Sequence, residues 1–374
     1  MTKAIASADL AEHAEAFRIV FHSIGTASPA NAASIAIGLG VPVNTVLEAV
    51  YRAPSILIDG LPQDIGDQMA GLLTDLGCKV SLDAMHAPIP APAPLFDVAL
   101  HITETARYGD ITAALAGFLG TKPEEAARLI STPPGIVLGK VSAATIDALR
   151  DRLGAGVALI ASDPDAALYD VFLGPCDATV RQRFLGDLRR RGMSVLAGEG
   201  CILAGLSKTD ADALWATHQR IQALRVVNRD FLRFDLVMTG GAASDAATRA
   251  LTELAGIPAH IVPRLFDDPG ITVMEAVPHA GMTDAMDRLT AAGLEIRADL
   301  VTFLHLGLEI TGIGDPRAVN AVLRAMSIAE ADFRRLPYRL PFHMPELQAR
   351  MLRDTLEATG AQADLFDPSE DLRA

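Results

Sequence analysis

The chain has 374 residues, half of them hydrophobic, with Gly and Pro scattered through it, which excludes a disordered or collagen-like protein. Its 32 basic and 46 acidic residues give a formal charge of −14, which argues against wrapping nucleic acid. No apolar run approaches the roughly 20 residues of a membrane span, and Asp9, Glu12 and Glu15 stand where a signal peptide would be apolar, so a cytoplasmic location is expected. Cys78, Cys176 and Cys201 form no C-x-x-C pair, so neither zinc nor a disulfide framework follows, and three buried or half-buried thiols are expected.

In chain order, five segments open alike: FRIVFHSI from Phe17, FDVALHIT from Phe96, YDVFLGPC from Tyr169, FDLVMTGG from Phe234 and, more loosely, TFLHLGLE from Thr302. A period of about 70 residues marks an array of supersecondary modules. Each opening alternates, with Phe96, Val98 and Leu100 on one side and Asp97, Ala99 and His101 on the other, as in a half-buried strand. A second apolar run follows in each unit (SILIDGL, GIVLGKV, CILAGL, ITVMEAV, YRLPFHM), and a short third run closes it (KVSLD, VALIAS, LRVVN, EIRAD, QADLF).

Between the first two strands lies a small-residue helix broken at Gly or Ser, then a second short helix. Pro42, Pro123 and Pro258 stand near the restart, and Pro54, Pro133, Pro269 and Pro337 stand near the stop. The last helix of each unit carries an apolar stripe: Ile65, Met69, Leu72 and Leu76 in unit one; Ile146, Leu149 and Leu153 in unit two; Met282, Met286 and Leu289 in unit four; Leu347, Met351 and Leu356 in unit five. Ser207 and Asp210 form a capping box, and Trp215 beside Leu214 is expected in the core of unit three.

The expected fold is therefore α+β: five β-α-α-β-α-β modules in tandem, each a three-stranded antiparallel sheet with helices on one face. The expected boundaries are a helical lead plus module one at 1–84, an Ala/Pro linker at 85–94, and modules two to five at 95–163, 164–231, 232–300 and 301–374. Module three is shortened and module five divergent. Modules three to four and four to five are expected to share nearly continuous strand.

Unit two, LFDVALHI followed by GFLGTKPEEAARLISTPPGIVLGKVSAATIDALRDRLGAGVAL, resembles the C-terminal domain of the bacterial ribosomal stalk protein. The likeness covers most of the chain as five copies, specific in units one, two and four, weaker in three and weakest in five. It implies a three-stranded antiparallel sheet covered on one side by three helices, a fold shared with the small adaptor that delivers substrates to the Clp protease. The stalk domain recruits translational GTPases with a basic patch, but Thr112, Ala113 and Ala116 stand at those places in unit two and Ala33, Ser34 and Ile37 in unit one. The resemblance thus carries the fold and leaves the charge-assisted recruitment without its residues.

Unit three differs most. Its helix carries Arg181, Arg183, Arg189, Arg190 and Arg191, and only MSVLAGEG separates it from the next strand. A basic helix without its neighbour is the expected contact for a protein partner with an acidic surface, set against a solvated arginine face. His22 and His101 share one strand position, with His305 as a counterpart, and read as seam residues because no metal spacing surrounds them. Asp97, Asp170 and Asp235 recur after the opening aromatic residue and read as structural. The turns MTGGAASDA and EITGIGDPRA follow strands but match no nucleotide motif. No catalytic residue, metal or cofactor is assigned. The reading is a non-enzymatic adaptor or assembly scaffold. Two alternatives are an enzyme or small-ligand binder with a site at a seam between modules, and a translation-associated factor.

Overall fold

The computed structural model describes residues 16–28, 31–196, 200–267 and 270–368; the N-terminal lead and Pro269 lie outside these. Module one runs β1 (Phe17–Ser23), α1 (Ala32–Leu39), α2 (Val43–Tyr51), β2 (Ser55–Leu61), α3 (Gln63–Asp75), β3 (Lys79–Ala84). Module two runs β4 (Leu95–Ile102), α4 (Tyr108–Leu119), α5 (Pro123–Ser131), β5 (Ile136–Ser142), α6 (Ala143–Leu153), β6 (Val157–Ser162). Module three has β7 (Tyr169–Leu173), α7 (Ala178–Arg190), β8 (Gly200–Leu206), α8 (Lys208–His218) and β9 (Leu224–Asn228). Module four has β10 (Arg233–Gly241), α9 (Asp245–Ala255), α10 (Val262–Leu265), β11 (Ile271–Pro278), α11 (His279–Ala291) and β12 (Leu294–Leu300). Module five has β13 (His305–Gly312), α12 (Pro316–Ala325), β14 (Tyr338–Arg339), β15 (Met344–Pro345), α13 (Glu346–Glu357) and β16 (Gln362–Phe366). In every module the opening strand is the middle of its antiparallel sheet, with the second and closing strands at the edges. In module five the second strand is split into the two short pieces β14 and β15.

One device recurs in these sheets. The second strand carries a residue at positive φ at one module position: Gly60, Lys140, Gly205 and Ala276. The register of the opening strand against it slips at the matching place, between Tyr169 and Val171 and between Phe234 and Leu236. This is a β-bulge, and the bulged residue's N–H needs an acceptor outside the ladder. Asp170 Oδ1 accepts it from Gly205 at 2.8 Å, and Asp235 Oδ1 from Ala276 at 2.7 Å. The recurrent aspartate is therefore structural, as expected. Arg229 adds a paired contact to Asp170, Nη2 to Oδ1 at 2.6 Å. In module one Arg18 takes the place of the aspartate and instead donates to the carbonyls of Met85 and Ala87.

Module five replaces the expected second helix with turns over residues 326–337. The Asn320 amide both donates to the Ala331 carbonyl and accepts from the Ala331 N–H, so a side chain satisfies backbone groups that a helix would pair. Ile328, Ala331 and Phe333 fill the core there. The nearly continuous strands between modules are also broken. Asn228 Oδ1 caps a short 3-10 turn at Arg229–Phe231, and Leu304 N–H turns back onto the Val301 carbonyl, so β13 starts at His305.

The chain forms two compact units. The first holds the described residues of 1–96 together with 113–123 and 140–154; the second holds 97–112, 124–139 and the described residues from 155 onward. Within the first, α6 packs on β1, and the Arg152 guanidinium lies 5.4 Å over the Phe118 ring. Thr145 Oγ1 donates to the Tyr51 carbonyl at 2.9 Å. Within the second, the face of the module-three sheet that its own helices leave bare is covered. Phe172 and Val227 pack with Leu232, Phe234, Leu300 and Phe303, and the Phe172 and Phe303 rings are 5.0 Å apart.

Candidate functional site

Strand alternation puts His101 on the side of β4 opposite Val98, Leu100 and Ile102, where a lone module would face water. In the second unit it is buried against residues from modules four and five. Arg233 opens β10, and α13 contributes Glu346 and Arg350 from one face while Ala349, Leu352 and Leu356 enter the module-five core from another. The i, i+4 spacing aligns Glu346 with Arg350, Oε1 to Nε at 2.7 Å. Arg233 Nη1 is 2.6 Å from His101 Nδ1 and 3.3 Å from Glu346 Oε2. Arg350 Nη2 donates to the Ile102 carbonyl at 3.1 Å.

Burial, and then the charges of Arg233 and Arg350, push the His101 pKa down to about 2. The imidazole is therefore neutral, accepting at Nδ1 from Arg233 and carrying its proton on Nε2. Burial also lowers the Arg233 pKa, against the pull of Glu346. A cavity of about 20 Å³ adjoins Arg233, His101, Thr302 and Glu346. It has room for about one water.

Beside this cluster lies an open cleft of about 520 Å³ lined by Asp235, Glu275, Arg297, Asp299, Arg350 and Arg353 among others. Two of its arginines are paired in place, Arg353 Nη1 with Glu275 at 3.4 Å and Arg297 with Asp299 at 2.7 Å, but carboxylates outnumber arginines in the lining, Glu357, Asp364 and Asp367 among them. Burial pushes the Asp235 carboxyl up to about 6, against the Ala276 N–H that favours its charged form. Asp235 can thus bind a proton near neutrality, whereas burial and the two neighbouring guanidiniums disfavour a proton on His101. No group of three or more His, Cys, Asp or Glu side chains among the described residues can hold a metal ion.

The sequence-predicted arginines stay apart from this cluster. Arg181, Arg183 and Arg189 project from α7. Arg190 and Arg191 reach back to Asp187 at 3.2 and 2.8 Å, which His218 of α8 also contacts at 3.1 Å. After α7 no helix is described before β8, in line with the shortened unit.

Several expectations change here. Trp215 is 44% exposed while Leu214 is buried, because Leu214 and Ala211 alone suffice to seat α8. On α3 the core takes Gly66 and Leu73, and Ile65, Leu72 and Leu76 face outward. On α13 the core takes Ala349 and Leu352 with Leu356, while Leu347 and Met351 are half-buried. His22 and His305 are exposed; His22 Nε2 meets Ser81 Oγ at 2.8 Å. The post-strand glycine turns lead into helices whose N-termini are capped by Ser244 and Asp315 of the chain itself. The thiols are free, Cys78 buried and Cys176 and Cys201 half-buried, with burial pushing Cys78 and Cys201 up to about 11.

Arg233, Glu346 and Arg350 had no distinguishing signal in the sequence. The E-x-x-x-R spacing after Pro345 reads as an ordinary surface pair. No helix among the described residues is long and apolar enough to cross a membrane. Comparison with protein-family profiles, curated proteins and solved structures finds no match to this chain.

Proposed function

We propose that the chain is a non-enzymatic adaptor or assembly scaffold of the cytoplasm, built from modules resembling the C-terminal domain of the ribosomal stalk protein. The observation that carries this reading is the use made of the bare sheet faces. In the second unit they join modules, through Phe172 and Phe303 at one joint and through His101, Arg233, Glu346 and Arg350 at another. The convergent polar cluster is buried, ion-paired through Glu346 and centred on a neutral histidine, with Arg233 Nε and Arg350 Nε left without a hydrogen-bond partner among the described residues; the ion pairing suits a joint better than a reaction. Helix surfaces are then left for partners, and the arginines of α7 suit carboxylates. Free thiols fit a reducing compartment.

Affinity purification of the tagged protein from its native host tests the reading. The Arg181→Gln/Arg183→Gln/Arg189→Gln variant should fold normally and retain less of any co-purifying protein. Equal retention by the variant would remove α7 as the contact.

A second reading, a small-ligand site, draws on the cleft of about 520 Å³ and the raised Asp235 pKa. Thermal shift against a panel of small cations and zwitterions checks it. A stabilisation lost in Asp235→Asn would favour it over the scaffold.

A further inference from the structure

Two exposed surfaces with apolar content carry opposite charge. The first is α3. Ile65, Met69, Leu72 and Leu76 follow a 4-3-4 spacing, which on a helix draws one stripe. The core takes only the neighbouring stripe of Gly66 and Leu73, leaving Ile65 41%, Leu72 64% and Leu76 39% exposed. At 100° per residue the solvent side of the exposed stripe is flanked by Asp64, Gln68 and Asp75, with Asp67 beyond; α3 has no Lys or Arg.

The second surface lies on α7 and α8. With Phe184 and Leu188 in the core, Asp187 lies on the α7 flank that faces α8, since it meets His218. The same flank carries Val180, Arg183 and Arg190. On α8, Trp215 stands one turn before His218, the residue that meets Asp187. Trp215 is 44% and Val180 37% exposed. Exposed tryptophan and arginine are the residue types of interface hot spots.

We propose that these surfaces are the two halves of one head-to-tail contact, in which α3 of one copy of the chain docks on the α7–α8 surface of another. The inference rests on the scaffold reading and names a second copy as the acidic partner. Lengths agree: the stripe from Ile65 to Leu76 runs about 17 Å, and Val180 to Arg190 about 15 Å. Charges agree as well. Pairing α3 with α3 would set acid against acid, whereas α3 on α7 sets Asp64 and Asp75 against Arg183 and against Arg190, whose partner Asp187 is shared with Arg191. The apolar stripe then covers Trp215 and Val180. Such a contact is heterologous: each copy offers a donor and an acceptor surface, so association continues past the dimer unless it closes on itself.

Sedimentation velocity of the full chain over micromolar concentrations tests this. Wild type should form species larger than a dimer, more weakly at high salt. Leu72→Ser should weaken self-association by tenfold or more, and so should Arg183→Gln/Arg190→Gln. Trp215→Ser is a further variant should the arginine substitutions disturb α7, and circular dichroism verifies each fold. The decisive sample is an equimolar mixture of Leu72→Ser with Arg183→Gln/Arg190→Gln. Each variant keeps one intact surface, so the mixture should yield one-to-one dimers and nothing larger. A wild type that is monomeric throughout, or association that both variants leave unchanged, overturns the inference. So does a mixture that stays monomeric, which would mean a symmetric contact. If wild type is monomeric while the α7 variant still loses a different partner, the scaffold reading stands and this inference alone fails.

Discussion

His22 and His101 stand at the same place on the opening strands of modules one and two, on the side turned away from the module core. His22 remains exposed, linked through Ser81 Oγ to Asp83 by two hydrogen bonds of 2.8 Å. His101 is buried between two guanidiniums, with its pKa pushed down to about 2. One module position thus gives a wet surface group in one case and a neutral structural acceptor in the other. The difference lies in what covers the sheet, since Arg233 and α13 come from distant parts of the sequence. Repetition specifies a module, and the neighbour decides what its polar residues become.

The contrast breaks most sharply at Glu346. Glu346→Ala leaves Arg233 and Arg350 buried without their carboxylate and should cost about 3–5 kcal/mol. Denaturation followed by the fluorescence of Trp215, the single tryptophan and a resident of the second unit, measures this. A loss below about 1 kcal/mol would mean that the cluster is open to water.

Asp170→Ala removes the acceptor of the Gly205 N–H and the partner of Arg229, for an expected loss of about 2–3 kcal/mol by the same readout. Asp170→Asn keeps the bulge acceptor and should lose less.

The buried histidine also gives stability a pH dependence. The folded pKa of His101 lies below its unfolded value of 6.5, so the unfolded chain binds the proton first as pH falls. Stability from this group is full above 6.5 and declines by about 1.4 kcal/mol per pH unit below it, giving about 2 kcal/mol at pH 5. His101→Gln should flatten that slope. Asp235 works in the opposite sense. Its folded pKa of about 6 lies above its unfolded value, so its burial is least unfavourable below pH 4 and most unfavourable above pH 6. Asp235→Asn should stabilise the second unit at pH 8 by up to about 3 kcal/mol, with the gain vanishing near pH 4. At neutral pH, His22→Ala should shift stability by no more than about 0.5 kcal/mol.

Much of the architecture was legible because it is local. Alternation in FDVALHIT and its counterparts gives the opening strands, and the Ser207 cap forms as the box in the sequence implies. The recurrence of Asp170 and Asp235 told of a structural role, though not that they serve a bulge. The stripe on α3 was visible, but not which side of it faces the core. Three turns of helix with apolar residues at 65, 66, 69, 70, 72, 73 and 76 offer a face wider than one sheet can cover. Module five hid its missing helix because Asn320, an ordinary exposed-looking amide, does the pairing that backbone would have done.

The sequence by itself determined five α+β modules, the order of elements along most repeats, the free thiols and the arginine-rich helix of module three, all properties set by period, composition and neighbours a few residues away. The tertiary structure decided which copies of a repeated position are buried. It brought together His101, Arg233, Glu346 and Arg350, separated by more than a hundred positions at each long step, and it left Trp215 and the α3 stripe outside. The reason is physical: a half-buried strand or an amphipathic helix specifies only its inner face, and the state of the outer face depends on which distant segment excludes water from it.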